Sequence, residues 1–347
     1  MAGRPGAPAA AALALTMGEP SGIGGEITLK AWLRRQPDGV PPFFIIDDAG
    51  RLERLAEDLD LEVPIELVEE PEQAVPTFAR ALPVMPLGLP VDAVPGAPDA
   101  ANARAVIGSI DRAAALALEG RVAGLVTNPV HKRTLYEIGF AHPGHTEYLA
   151  ELAGGGPAVM MLTCPGLRTV PVTVHMALRE ALAALSAEAV EACAMTTAAA
   201  LEDDFGIARP RLAVSGLNPH AGEDGDLGAE ELEIIGPAVA ALRRRGIDVI
   251  GPIAADSLFH AAARERYDAA VCMYHDQALI PIKTIDFAHG VNVTLGLALV
   301  RTSPDHGTAL ALAGTGRADE QSLIAALGSA AAIARHRAAA TRPARRA

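Results

Sequence analysis

Short apolar runs alternate along this chain with longer stretches of helical period, and that alternation restricts the fold more than any other feature. The strand-like runs are Ala12–Met17, Phe43–Asp47, Gly124–Thr127, Val159–Leu162, Thr169–Val174, Arg211–Ser215, Ala269–Met273 and Val291–Leu295. Helical patterns fall at Gly25–Arg35, Asn102–Glu119, Thr146–Ala153, Ala187–Asp203, Glu230–Arg245 and Asp319–Arg337. Strand, helix and strand in repeated succession build βαβ units around a mostly parallel sheet, so the fold class is α/β. The Pro- and Val-rich segment Leu61–Pro98 has little helical period and is expected to be a short antiparallel excursion or a loop system. No repeat of fixed period is present.

The 347 residues suffice for one large or two modest domains. A boundary near Gly139–Gly144, with return around Arg301, gives a discontinuous first domain (1–140 and 300–347) and a second domain (141–299). Half the residues are hydrophobic but only 3% are aromatic, so Ala, Leu, Val and Ile must fill the core. A net charge of −13 argues against a nucleic-acid footprint, and the scarcity of aromatics argues against a base-stacking platform. Cys164, Cys193 and Cys272 are far apart, which excludes a disulfide framework and a paired-thiol metal motif and points to a reducing, cytoplasmic setting. No stretch reaches the roughly 18 apolar residues of a membrane span. Met1–Met17 runs into Gly18 without a convincing cleavage site, and is expected to be a frayed extension followed by a buried strand. Arg335, Arg337, Arg342, Arg345 and Arg346 are expected to form a solvated tail.

The cluster Gly18-Glu19-Pro20-Ser21-Gly22-Ile23-Gly24-Gly25 falls between a strand and a helix, where a phosphate loop would sit. It lacks the Lys-Ser/Thr of a P-loop and is not G-x-G-x-x-G, although Asp47 and Asp48 end the next strand as a ribose-binding acid would. A tight structural turn and a nonstandard cofactor contact both remain open.

The histidines are more informative. His175, His220 and His275 each lie just past the C-terminal end of an apolar run, and in parallel sheets those ends converge on the ligand crevice. Singly, each reads as a hydrogen-bonded structural residue. Together, three neutral imidazoles with an open fourth position suit zinc, cobalt or another divalent ion. Asp276 is placed to support His275 or to add a ligand. His131, His142, His260, His289 and His306 have weaker cases. A second group comprises Gly144-His145-Thr146-Glu147 ahead of a helix, with Lys283, Asn292 and Arg301 around the late strand. Such residues fit an anionic small substrate, a phosphate monoester or a carboxylate. Helix capping by Thr146 and plain surface charge are the structural alternatives.

These motifs resemble the 4-hydroxythreonine-4-phosphate dehydrogenase (PdxA) family. The matching segments are Gly18–Gly24, Thr127-Asn-Pro-Val-His-Lys132, Gly144–Glu147, Gly216-Leu-Asn-Pro-His-Ala-Gly-Glu223, Met273-Tyr-His-Asp-Gln277, Gly290-Val-Asn-Val-Thr-Leu-Gly296 and Arg301-Thr-Ser-Pro-Asp-His-Gly-Thr308, in family order from about residue 12 to 330. Departures at Gly25, Ala278 and Ala298 remove no chemical group. The resemblance implies a two-domain α/β/α fold similar to isocitrate and isopropylmalate dehydrogenases, with the active site in the interdomain cleft at a homodimer interface. It implies metal ligands at His175, His220 and His275, one of them donated across the interface. It also implies substrate contacts at His145, Thr146, Lys283, Asn292 and Arg301, with Asp256 reaching from the partner subunit.

The implied reaction is metal-dependent oxidation of 4-phosphooxy-L-threonine by NAD or NADP, with zinc, cobalt or magnesium as the metal, in vitamin B6 biosynthesis. The β-keto acid so formed loses CO₂ to give 3-amino-2-oxopropyl phosphate. His145 and Asp256 are the candidate proton acceptors, and cofactor-binding residues are not assigned. Alternatives are a sibling dehydrogenase of erythronate or threonate 4-phosphate, or of an aromatic dihydrodiol. A zinc hydrolase of a phosphorylated substrate and a noncatalytic phosphometabolite-binding protein are more distant readings.

Overall fold

The computed structural model describes residues 11–142, 144–156 and 158–340, with the backbone alone at His145. The chain divides into two compact units, the first running to Gly156 and resuming at Leu297, the second spanning Pro157–Gly296.

The first unit begins with β1 (Leu13–Thr16), α1 (Gly24–Leu33), β2 (Phe43–Asp47), α2 (Ala49–Asp58), β3 (Ile65–Leu67), α3 (Ala74–Phe78), β4 (Leu82–Pro86), α4 (Ala103–Leu118), β5 (Leu125–Thr127), α5 (Lys132–Glu137) and α6 (His145–Leu152). The second contains β6 (Val159–Cys164), β7 (Leu167–Pro171), α7 (Leu178–Ala184), α8 (Ala187–Asp203), β8 (Arg211–Ser215), α9 (Gly236–Arg244), β9 (Asp248–Ile253), α10 (Ala261–Arg264), β10 (Ala269–Cys272), α11 (His275–Ile285) and β11 (Val291–Leu295). The chain returns to the first unit with β12 (Arg301–Pro304) and α12 (Gln321–Ala340).

In the first unit the strands lie in the order β3-β4-β2-β1-β5-β12, every pair parallel. β1, β2 and β5 are buried along their whole length, which is why their sequences are almost purely apolar. The chain winds outward from β1 through β2 and then from β5 on the other side, so the topological switch point lies between β1 and β5. Ser109 of α4 fixes that helix to the strand ends, its hydroxyl accepting from Met17 N–H at 3.0 Å and donating to Ile46 C=O at 2.9 Å.

Three expectations are corrected here. The Leu61–Pro98 segment is no antiparallel excursion: it supplies the parallel strands β3, at the edge of the sheet, and β4, next to it, joined by a crossover too short to show helical period. The first unit extends past residue 140, because α6 packs on α4 and the Tyr148 hydroxyl donates to the Asp111 carboxylate. Arg335 and Arg337 belong to α12, with Arg337 Nη1 donating to Ala298 C=O at 3.2 Å, whereas Arg342, Arg345 and Arg346 lie outside the described residues.

The second unit's sheet has the order β11-β6-β7-β10-β8-β9. β6 and β7 form an antiparallel hairpin turning at Pro165-Gly166, and β11 runs antiparallel to β6. β7, β10, β8 and β9 are parallel neighbours. Leu162, Leu167, Ala213, Ala270, Cys272 and Ile282 form the centre of its core. No described helix is long and apolar enough to cross a membrane.

Candidate active site

Because β7, β10, β8 and β9 are parallel and adjacent, the segments leaving their C-terminal ends open on one edge of the sheet. Those segments carry His175, His275, His220 and Asp256 respectively. β7 ends at Pro171, earlier than its apolar run. The next residues stay bound to the end of β10 through Val172 N–H to Cys272 C=O (2.8 Å) and Thr173 Oγ1 to Met273 C=O (2.8 Å). That extension brings His175 beside His275, with ring centres 5.8 Å apart. Both line an open cavity of about 530 Å³ with Thr173, Met176, Tyr274 and Asp276.

His275 opens α11, and its Nδ1 lies 2.7 Å from Asp276 Oδ1, a pairing that leaves Nε2 to act as a donor to a metal. Two imidazoles sharing one tetrahedral ion, each nitrogen about 2 Å from it, have ring centres about 5 Å apart, so this pair fits a divalent cation with little rearrangement. His220 does not join them: among the described residues no three His, Cys, Asp or Glu side chains stand together as a metal site. Asp256 is exposed in the turn Ala255–Ser257, which packs against the turn carrying His220.

The segment after β8 has an unusual backbone. From His220 to Gly225 every residue has positive φ: 54° at His220, 54° at Ala221, 82° at Gly222, 43° at Glu223, 55° at Asp224 and 102° at Gly225. Left-handed backbone costs a residue with a side chain about 1–2 kcal/mol, and is usually visited singly. The buried Gln277 braces the strand end behind this turn. Its Oε1 accepts from Ser215 Oγ and Met273 N–H, both at 2.7 Å, and its Nε2 donates to Gly216 C=O at 2.8 Å. One side chain therefore ties the root of the His220 segment to the root of the His275 segment.

The cationic group is distributed over the two units. In the first, Arg301 is buried at the start of β12 and donates from Nη2 to Thr127 Oγ1 at 2.8 Å. Burial pushes its pKa down to about 10, with the charge of Glu147 opposing that shift. Thr146 and Glu147 lie in the first turn of α6, and the side chain of His145 lies outside the described part. In the second unit, Lys283 sits on α11 eight positions beyond His275, roughly 12 Å along the axis, with its amine 5.4 Å from the centre of the Phe287 ring. Asn292 of β11 pairs with Leu162, which in turn pairs with Thr169, so it sits at mid-sheet level rather than at the histidine edge. Among the described residues its buried Oδ1 has no hydrogen-bond partner.

The glycine turn after β1 is braced from within the fold. Glu19 N–H donates to Pro129 C=O, Ser21 N–H to Glu19 Oε1, Gly22 N–H to Glu19 C=O and Ile23 N–H to Thr308 C=O, so these four amides are engaged within the fold. Gly18 has φ 68° and a Cβ there would meet Asn128 Cβ and Pro129 O at 2.7 Å. Asp47 and Asp48 are likewise engaged within the fold. Asp47 is fully buried against the Arg51 guanidinium, and Asp48 caps α2 through Arg51 N–H (2.9 Å) while accepting Leu89 N–H (3.1 Å).

Residues 40–330 match the family described as pyridoxal phosphate biosynthetic protein PdxA. The chain belongs to the PdxA family. The 4-hydroxythreonine-4-phosphate dehydrogenase of Methylorubrum populi is 56% identical over 322 residues, covering 91% of this chain and 92% of that protein. That of Bradyrhizobium diazoefficiens is 54% identical over 331 residues, covering 92% and 96%. The solved 4-hydroxythreonine-4-phosphate dehydrogenase of Klebsiella pneumoniae aligns with a TM-score of 0.84 at 37% identity, covering 94% of this chain and 98% of that one. These PdxA relatives are dehydrogenases by name, and the chain is an oxidoreductase.

Within this PdxA chain, sequence reasoning gave no role to Thr127 beside Arg301 or to Gln277 between the strand ends, and read Glu147 only as part of the Gly144–Glu147 group. Thr127 and Gln277 stood in motifs already singled out, but nothing in a motif tells which polar side chain turns inward.

Proposed function

We propose that the chain is a 4-hydroxythreonine-4-phosphate dehydrogenase, acting in the cytoplasm as a homodimer on the way to pyridoxal 5′-phosphate. It oxidises the secondary alcohol of 4-phosphooxy-L-threonine to 2-amino-3-oxo-4-phosphooxybutanoate, hydride passing to NAD or NADP and the hydroxyl proton to a base. The β-keto acid then releases CO₂ to leave 3-amino-2-oxopropyl phosphate. The observation that carries this reading is the His175–His275 imidazole pair, with Asp276 on His275 Nδ1, in a chain of the PdxA family.

His175, His220 and His275 would hold one divalent ion, zinc, cobalt or magnesium, with one of the three donated by the partner subunit. An ion so held supplies positive charge that favours ionisation of the substrate hydroxyl and steadies the electron-rich carbon left by decarboxylation. Arg301, aided by Thr127, offers a desolvated positive charge to the phosphate or carboxylate. Thr146, Lys283 and Asn292 supply further donors that orient the carbon losing hydride. His145 and Asp256 are the candidates for taking the proton, and the exposed position of Asp256 suits contact with a second subunit.

The test combines purified protein, 4-phosphooxy-L-threonine, NAD⁺ or NADP⁺ and a divalent metal, with and without chelator, and D-erythronate 4-phosphate in parallel. Chelator-sensitive nicotinamide reduction selective for the threonine derivative is the expected result. Preference for the erythronate would make the chain a sibling dehydrogenase, and no reduction with either substrate would return the histidines to hydrolysis or simple binding.

A further inference from the structure

The run of positive φ that begins at His220 is held from outside itself. Glu231, in the π-helical turn Glu231–Ile235, is 4% exposed, and its carboxylate points back at the residues just before the run. Oε1 accepts Leu217 N–H at 2.7 Å and Asn218 N–H at 2.8 Å, while Oε2 accepts Asn218 Nδ2 at 2.9 Å. These three donors outweigh the effect of burial and hold the carboxyl below the usual carboxylate range. The surroundings are shaped to the carboxylate. A Cβ on Gly222 would stand 2.7 Å from Oε2, and one on Gly216 would stand 3.0 Å from Oε1. A π turn widens the helix by one residue, as often happens where a side chain must be re-aimed.

We propose that Glu231 is the positioning residue for His220: by anchoring Leu217 and Asn218 it fixes where the left-handed turn starts, and so where the imidazole is presented. The inference rests on the reading of His220 as a metal ligand. Without the anchor, the non-glycine residues of the turn relax toward ordinary backbone conformations, and the turn no longer presents His220 in one place. Glu230 also accepts from Asn218 Nδ2, at 2.7 Å, but touches neither backbone amide and serves as the control.

The experiment measures Co²⁺ binding to the full-length dimer by titration and by the visible absorption of the bound ion, with circular dichroism and thermal melting to verify folding. E231Q keeps the volume but turns an amide toward Asn218 Nδ2, and is expected to weaken Co²⁺ binding by about tenfold and to change its spectrum. E230Q is expected to stay within about twofold of the parent. G222A, which crowds Oε2, should repeat the E231Q defect and decides the matter if E231Q does not fold. A folded E231Q or G222A with parental affinity and spectrum overturns the proposal, as does failure of both to fold, which would make the carboxylate a core residue only. H220A separates the two readings: if it binds Co²⁺ as the parent does, the metal assignment falls and this inference with it. If H220A loses binding and E231Q does not, this inference alone falls.

Discussion

Arg301 Nη2 donates to Thr127 Oγ1 at 2.8 Å, which holds a guanidinium against a hydroxyl inside the first unit. Burial of that charge costs stability, a cost that the charge of Glu147 partly offsets. Burial lowers its pKa to about 10, below the usual arginine range, so the charged form is penalised in the folded state. The unfolded state binds the extra proton, so the penalty is fully present below about pH 10 and is relieved as pH rises beyond that toward the ordinary arginine range. R301M should therefore melt at or above the parent temperature while kcat/KM falls about 100-fold or more. Inorganic phosphate should raise the melting temperature of the parent and not of R301M. A less stable variant with normal kinetics would show the arginine to be a structural group.

Gln277 makes a different kind of prediction, because all its bonds are internal to the fold. Q277L leaves Gly216 C=O, Met273 N–H and the Ser215 hydroxyl without their present partner. The expected loss is about 3 kcal/mol in urea unfolding of the second unit. An unchanged unfolding midpoint would mean that water replaces the amide at no cost.

Asp276 should act through His275. D276N removes the carboxylate from Nδ1, lowering the basicity of the ring and releasing its orientation. The dissociation constant for zinc, measured against a competing chelator, should rise by about 10- to 100-fold with little change in melting temperature of the metal-free protein. Equal zinc affinity in the parent and D276N would remove Asp276 from the metal assignment.

How much of this was legible in sequence depends on what each residue faces. Phe43–Asp47, Arg211–Ser215 and Val291–Leu295 were readable to the residue as strands, since burial on the sheet leaves an apolar run. β12 was missed because Arg301-Thr-Ser-Pro304 is polar yet buried, its polarity serving the interior of the first unit. α11 was missed because Pro281 sits inside it. The positions of His175 and His275 past their strand ends were visible, as was the shared edge that follows from parallel strands. The turn at His220 was not, since no residue type announces consecutive left-handed residues, and Glu231 reaches it through backbone amides that carry no sequence signal.

The three cysteines should be inert in the native protein. Burial pushes the thiol of Cys193 up to about 12 and that of Cys164 up to about 11, and raises Cys272 as well. At pH 8 none is appreciably a thiolate, the reactive form. Iodoacetamide should label no cysteine until denaturant is added, and mass spectrometry showing stoichiometric labelling of the folded protein would contradict the placement.

Asp47 tests whether the glycine turn belongs to stability or to cofactor choice. Its carboxylate is buried against Arg51, whose Nη1 also donates to Pro20 C=O at 3.0 Å and so carries the pair's influence into the Gly18–Gly24 turn. D47N leaves the guanidinium charged and buried with its counter-charge gone, a change that costs about 3–5 kcal/mol. A ribose-binding acid would behave otherwise: its loss would alter discrimination between NAD and NADP while sparing the fold. The expected outcome is a large drop in the urea midpoint of the first unit, with the ratio of kcat/KM for NAD⁺ and NADP⁺ unchanged at a temperature where the variant is folded. A shifted cofactor ratio with unaltered stability would reverse the assignment and place the cofactor's ribose at the end of β2.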